Sequence, residues 1–233
     1  MDILGTALLD YYEGRYSEDI TVHSNIAEDD VLPLPHLFRS FEEMPVLEQQ
    51  ALKLCKGHVL DIGCGAGSHA LYLQKQKFKV TALDASPGAV QVAQMRGVID
   101  ARQQSLLDFK GETFDTLLLL MNGTGIFEST AKISEYLAHL HRLTAPHGQV
   151  LIDSSNIAYM FEDEDGGYWM DMNADYYGEV EFQLSYQGKS GAPFDWLYLD
   201  YDRLSAFAKA NHWTCERIQE GPYHDYLARL RPA

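Results

Sequence analysis

Two acids, three glycines and one amide carry the candidate chemistry of this chain. Asp61-Ile62-Gly63-Cys64-Gly65-Ala66-Gly67 sets three glycines at alternate positions, two residues after a carboxylate. Glycine has no Cβ, so such a turn can take positive φ and let a ligand reach the backbone. If a helix follows, its first N–H groups are open to an anionic group. Asp84 comes 17 residues after Gly67. A carboxylate there can accept hydrogen bonds from both hydroxyls of a ribose, or it can cap the helix that Ser86-Pro87 opens. Asn122 ends a long apolar run, where an amide could orient a polar group of a substrate.

These residues need elements to hold them. His58–Ile62 is apolar and reads as a strand, followed by a helix from Ser68 to Gln76. Lys79–Leu83 is the next strand and ends at Asp84. A helix over Gly88–Arg96 leads to a short strand near Ala101–Gln104. Phe114–Met121 is apolar throughout, as expected for a central parallel strand. Asn122-Gly123-Thr124-Gly125 caps its carboxyl end. Thr130–Leu143 is the following helix, with His139 and His141 expected in solvent. Pro146-His147-Gly148 reads as a turn, and Gln149–Asp153 as strand five. Before the first strand, Pro45 opens a helix that runs to Cys55.

The spacing selects the ligand class. A dinucleotide fingerprint G-x-G-x-x-G would need glycine at position 68, which is Ser68. The run Asp-x-Gly-x-Gly-x-Gly, with Asp84 at the end of the next strand, instead resembles class I S-adenosylmethionine-dependent methyltransferases. The resemblance covers residues 56–153 well and 200–231 in outline. It implies an α/β three-layer sandwich with a seven-stranded, mostly parallel sheet of order 3-2-1-4-5-7-6. It also implies S-adenosylmethionine as cofactor, held by Asp61, Gly63, Gly65, Gly67 and Asp84, with Ala85 and Ser86 bordering the adenine. Family members often place an acid on the adenine amine; Gln104-Ser105 stands there, with Asp108 further on. Asn122 falls where the reactive methyl should lie, as a cofactor-binding and catalytic candidate. Arg39 could hold the cofactor carboxylate bidentately, the plain alternative being a solvated surface arginine. His36, His139 and Tyr16 are conceivable general bases only if the fold brings them near the methyl.

Two segments fall outside the resemblance. Residues 1–45 form an N-terminal cap segment, expected to be helical, with an acidic turn at Glu28-Asp29-Asp30 and breaks at Pro33 and Pro35. Residues 154–199 are an insertion after strand five within a methyltransferase domain spanning 46–233. The insertion holds the acidic run Glu162-Asp163-Glu164-Asp165, the aromatics Tyr168, Trp169, Tyr176 and Tyr177, and a hairpin pattern over Glu179–Gln187 and Phe194–Leu199. It reads as a substrate cover, or as a dimerisation element. Tyr201–Asn211 is then a helix, and two strands near Trp213–Gln219 and His224–Leu230 end the chain.

Charge narrows the partners. There are 34 acidic and 18 basic residues, a net charge of −16. That balance repels the phosphate backbones and anionic lipids that basic surfaces attract. The Asn/Asp-Pro-Pro-aromatic motif of nucleobase-amine methyltransferases is missing after the central strand. A small-molecule acceptor is therefore expected, with no nucleic acid and no membrane. Three cysteines without ligand spacing read as reduced thiols of a cytoplasmic protein, monomer or homodimer. Cys64 could be a nucleophile, but a small residue filling the turn is the simpler reading. Methyl transfer to an O, N or S atom is the leading function, and a non-catalytic cofactor-binding sensor or subunit is the alternative. A metal-assisted O-methyltransferase would need Asn122, Asp153 and Asn156 as ligands; no metal is expected.

Overall fold

The strand–turn–helix at the glycine run is the centre of the molecule, and the other elements are laid beside it. The computed structural model describes residues 1–162 and 176–233. In chain order the strands are β1 (Ile20–Ser24), β2 (Asp30–Leu32), β3 (His58–Ile62), β4 (Lys79–Asp84), β5 (Ala101–Gln103), β6 (Phe114–Leu119), β7 (Thr144–Ser155), β8 (Glu179–Tyr186), β9 (Lys189–Ser190), β10 (Phe194–Leu197), β11 (Trp213–Glu220) and β12 (Asp225–Pro232). The helices are α1 (Ile3–Tyr12), α2 (Leu34–Leu37), α3 (Val46–Leu54), α4 (Ser68–Lys75), α5 (Pro87–Met95), α6 (Ile133–Leu143) and α7 (Tyr201–Ala210).

Among the described residues the main sheet has seven strands, ordered β11-β12-β7-β6-β3-β4-β5. Counted from the glycine-turn strand, this is the expected 3-2-1-4-5-7-6. β12 runs antiparallel to β7, while β3, β4, β5, β6 and β7 are mutually parallel. The leucines of β6 explain why it is central. Leu117 and Leu119 pack with Leu137 and Leu140 of α6 and Leu204 of α7. Leu118 and the adjoining Leu120 pack on the other face, with Leu52 of α3 and Leu73 of α4. A strand covered on both faces needs apolar side chains at successive positions.

Three expectations need correction here. The N-terminal segment is not wholly helical: β1 and β2 form a hairpin, and β1 pairs antiparallel with β8 of the insertion. A second sheet, β10-β8-β1-β2, thus joins two segments far apart in sequence. The residues 146–148 lie inside the long β7, as a bulge where Phe114 pairs with Thr144 and Thr116 with Gln149. His139 is 1% exposed rather than solvated, with Arg142 donating to its Nδ1 at 3.0 Å. Asp163-Glu164-Asp165, Tyr168 and Trp169 lie outside the described residues.

The second sheet is tied to the main fold at α1. The Asp2 carboxylate caps α1 by accepting from the Gly5 N–H at 2.9 Å. It also accepts from the Ser86 hydroxyl (2.8 Å) and from the Gly88 N–H (3.0 Å) at the start of α5. Gly5 and Gly88 face each other there: a Cβ on Gly88 would sit 2.5 Å from the Gly5 Cα. No side chain fits between the two backbones.

Candidate cofactor and active site

The carboxyl ends of β3, β4 and β6 and the inner side of the second sheet enclose a cavity of about 1010 Å³. Its floor is the glycine turn. Gly63, Gly65 and Gly67 have φ of 73°, 51° and 83°. A Cβ on Gly65 would meet nothing within 4 Å, so the backbone there is bare to the cavity. Gly67 serves otherwise. Its Cβ would meet Val98 at 2.7 Å and Ala93 at 3.2 Å, so it lets α5 pack against the start of α4 and is not part of the cavity wall.

Asp84 joins the two turns. Its Oδ2 accepts from the Gly65 N–H (2.8 Å) and its Oδ1 from the Ser86 N–H (2.9 Å). A carboxylate oxygen can accept twice, so each keeps capacity for a ligand hydroxyl. Burial pushes the Asp84 carboxyl up, and the Ser86 and Gly65 N–H groups oppose that. Ala85, Gln104 and Ser105 continue the wall. The Gln104 amide donates to the Asp108 carbonyl (2.8 Å) and the Ser105 hydroxyl to the Asp108 carboxylate (2.7 Å). Asp108 thus braces this edge without lining it.

Asp61 is not on the cavity surface. It is 2% exposed beneath the turn, and its Oδ2 has no partner among the described residues. Burial pushes its carboxyl up, with His69 opposing at 4.0 Å.

Arg39 is not a solvated surface residue. It is 7% exposed, and its Nη2 donates to Glu48 at 2.6 Å. Its Nη1 donates to the His36 carbonyl, and its buried Nε has no partner among the described residues. Glu48 also binds His69 Nε2 at 2.7 Å. Burial disfavours the imidazolium, but Glu48 and Asp61 raise the His69 pKa on balance. For Glu48, burial works upward and His69 and Arg39 bring the carboxyl below its ordinary value. Arg39, Glu48, His69 and His36 all reach the cavity wall. Glu48 was not singled out in the sequence. The signal was its place on the apolar stripe of α3, four residues before Leu52 and three before Ala51.

The remaining candidates divide. Asn122 lines the cavity at the end of β6. His36 lines it too, and burial together with Arg39 lowers its pKa, keeping a neutral imidazole. Tyr16 is exposed and donates to Asp19, and His139 is buried behind α6; neither reaches the cavity. Cys64 reaches the wall, but burial and then Asp61 push its thiol far up, against a thiolate role. Tyr176 and Tyr177 bond Asp200 instead of lining the cavity. The aromatic lining includes Phe182, Phe194, Trp196 and Tyr198, together with Tyr136, Tyr159 and Tyr223. Trp196 lies flat against Gly125, where a Cβ would meet the indole at 1.9 Å. Among the described residues no three His, Cys, Asp or Glu side chains converge as metal ligands. Asn156 Oδ1 accepts from the Tyr177 hydroxyl (2.8 Å) and the Ala158 N–H (3.0 Å).

Residues 59–148 match the family model described as "Methyltransferase domain". A crystal structure of a SAM-dependent methyltransferase from Bacteroides fragilis, in complex with S-adenosyl-L-homocysteine, is 43% identical. It superposes with a TM-score of 0.94, covering 100% of this chain and 95% of that one. The chain belongs to the class I S-adenosylmethionine-dependent methyltransferase family. Among curated relatives, the methyltransferase is 30% identical over 113 residues to the ubiquinone biosynthesis O-methyltransferase of Xanthomonas oryzae pv. oryzae, 45% of this chain and 46% of the relative. It is 28% identical over 116 residues to the Rickettsia prowazekii enzyme of the same name, 46% and 45%. It spans less than half the length of the curated relatives it matches. Among the described residues of the methyltransferase, no helix is long and apolar enough to cross a membrane.

Proposed function

We propose that the chain transfers a methyl group from S-adenosylmethionine to an O, N or S atom of a small molecule. One observation carries this: a single cavity runs from the Gly65–Asp84 junction to an aromatic wall on the second sheet. The residues fit the cofactor. Asp84 would take the ribose hydroxyls, and Ala85, Gln104 and Ser105 would border the adenine. Gly63 and Gly65 would let the amino-acid part lie on the backbone. Arg39, which lines the cavity and is already held by Glu48, would meet its carboxylate. Asp61 supports this end from beneath through His69. Asn122 would stand where the reactive end joins the amino-acid part.

Bound there, the cofactor's sulfonium supplies an activated methyl group. The chain's task is to align the acceptor and exclude water. Residues 1–45 and the 154–199 insertion roof the site and set acceptor choice. Val22 on β1, Phe182 on β8 and Trp196 on β10 all face the cavity. His36 is the group placed to take a proton from an acceptor, its neutral form being favoured by burial. The acidic surface suits a cytoplasmic monomer or homodimer that binds neither nucleic acid nor membrane.

Calorimetry with S-adenosylhomocysteine tests the reading. Asp84→Ala removes charge-assisted hydrogen bonds worth roughly 1.5–3 kcal/mol each, so affinity should fall at least about tenfold. Unchanged affinity would remove the ribose assignment, and normal binding by Gly65→Val would remove the cofactor site. Deleting the insertion is a poor test of the roof, because Leu197 and Leu199 are core residues. Trp196→Ala is better: homocysteine-form binding should persist while turnover of the native acceptor falls.

A further inference from the structure

The chain bends through two consecutive left-handed residues where β6 meets the cavity. Met121 has φ 67° and Asn122 φ 59°. Neither is glycine, and a side chain in this region is strained unless the surroundings hold it. The holder is Asp153 on β7. Its Oδ2 accepts from the Met121 N–H (3.1 Å) and its Oδ1 from the Gly123 N–H (2.9 Å), so one carboxylate brackets the turn. Two residues along, the Ser155 hydroxyl donates to Asn122 Oδ1 at 3.0 Å. With its oxygen engaged, Asn122 presents its NH2 as a donor that has no partner among the described residues.

We propose that Asp153 is a positioning residue, which holds Met121–Asn122 left-handed so that the Asn122 amide donates to the amino-acid end of the cofactor. The inference rests on the cofactor reading above, which wild-type affinity for S-adenosylhomocysteine tests separately. The strain is localised to the strand end that faces the cavity, and two side chains of one neighbouring strand fix it. Asp153 itself is not on the cavity surface. It acts only through Asn122.

The ionisation of Asp153 gives the arrangement a spectroscopic mark. Burial pushes its carboxyl up to about 7, against the Gly123 and Met121 N–H groups. Glu48 on α3, His69 on α4 and Tyr226 on β12 are the titratable groups that face it. His69, whose pKa is raised, is the neighbour whose titration must be told apart from that of Asp153.

The test compares two probes that differ at the amino-acid end. In Asp153→Asn, one oxygen becomes an NH2 that cannot accept from a backbone N–H. Affinity for S-adenosylhomocysteine should fall at least about tenfold while affinity for adenosine stays within about twofold. Ser155→Ala should show the same split at about threefold. Equal loss for both probes, or no loss for either, overturns the proposal. Should Asp153→Asn fail to fold, the wild-type protein decides. The Met121 and Gly123 amide resonances should move together with a midpoint near 7, and should still titrate in His69→Gln with the midpoint moved up, because His69 lowers the Asp153 pKa. Amides that do not titrate, or that stop titrating in His69→Gln, also overturn it.

Discussion

Glu48→Ala should be the most damaging single change on the cavity wall. Glu48 accepts from Arg39 at 2.6 Å and bonds His69 at 2.7 Å, and the three side chains are only 4%, 6% and 10% exposed for Arg39, Glu48 and His69. Removing the carboxylate leaves a buried guanidinium with no counter-charge and an imidazole with no strong partner. Removing one member of a buried ion pair costs about 3–5 kcal/mol, most of it the penalty of the stranded charge. For a chain of this length each kcal/mol moves Tm by roughly 2–4 °C, so the melting point should drop by about 6–20 °C. Thermal unfolding by circular dichroism at pH 7 reads it, with urea titration as a second measure. The variant Arg39→Met, Glu48→Leu, His69→Leu should recover most of the loss, because none of the three groups is left stranded without its partner. A Glu48→Ala protein that folds and melts within about 2 °C of the wild type would refute the reasoning, since an interaction so enclosed cannot be worth so little.

Gly88→Ala should push α1 off α5, because the new Cβ meets the Gly5 backbone at 2.5–2.7 Å. An overpacking cost of about 1–3 kcal/mol and faster proteolysis of the N-terminal segment are expected; unchanged protease resistance would contradict the glycine contact. Stability should fall as pH rises from 6 to 8.5. His69 has a raised pKa, so its contribution is complete below 6.5 and is lost as pH rises through its folded value. Asp153, raised to about 7 from the usual 3.8, adds to the fall only at the acid end of this interval: its contribution fades between those two values and is gone once pH has passed 7. A Tm that is flat or rises over this interval would count against both assignments.

The βαβ core was legible because its signals are local. Gly63, Gly65 and Gly67 mark one turn, Asp84 ends the next strand, and the Leu117–Leu120 run announces burial on both faces. The expected strand order emerges from the same units. Less was legible where partners are distant. Ile20–Ser24 is a short alternating stretch whose partner, β8, could not be named without the fold. Arg39 was singled out for a ligand, but its companion Glu48 lies across α3, and a charge on an apolar stripe only acquires meaning once its neighbours are known. Gly67 belongs to the motif by spacing, yet its own job is set by Ala93 on α5 and Val98 just beyond that helix. The same holds for Asp153, whose role depends on the backbone of a neighbouring strand.

The pairing of β1 with β8 also sets an order of events at the ribosome. His23 and Ser185 touch across that ladder, yet they are 162 residues apart. At about 5–20 residues per second, β1 waits roughly 8–30 s for its partner to be made. Over that interval the whole glycine-turn unit, β3 to β7, can emerge and close without it. The β1–β2 hairpin meanwhile presents an unpaired edge, the kind of surface that nascent-chain chaperones shield. The chamber is thus sealed late, by a strand synthesised first.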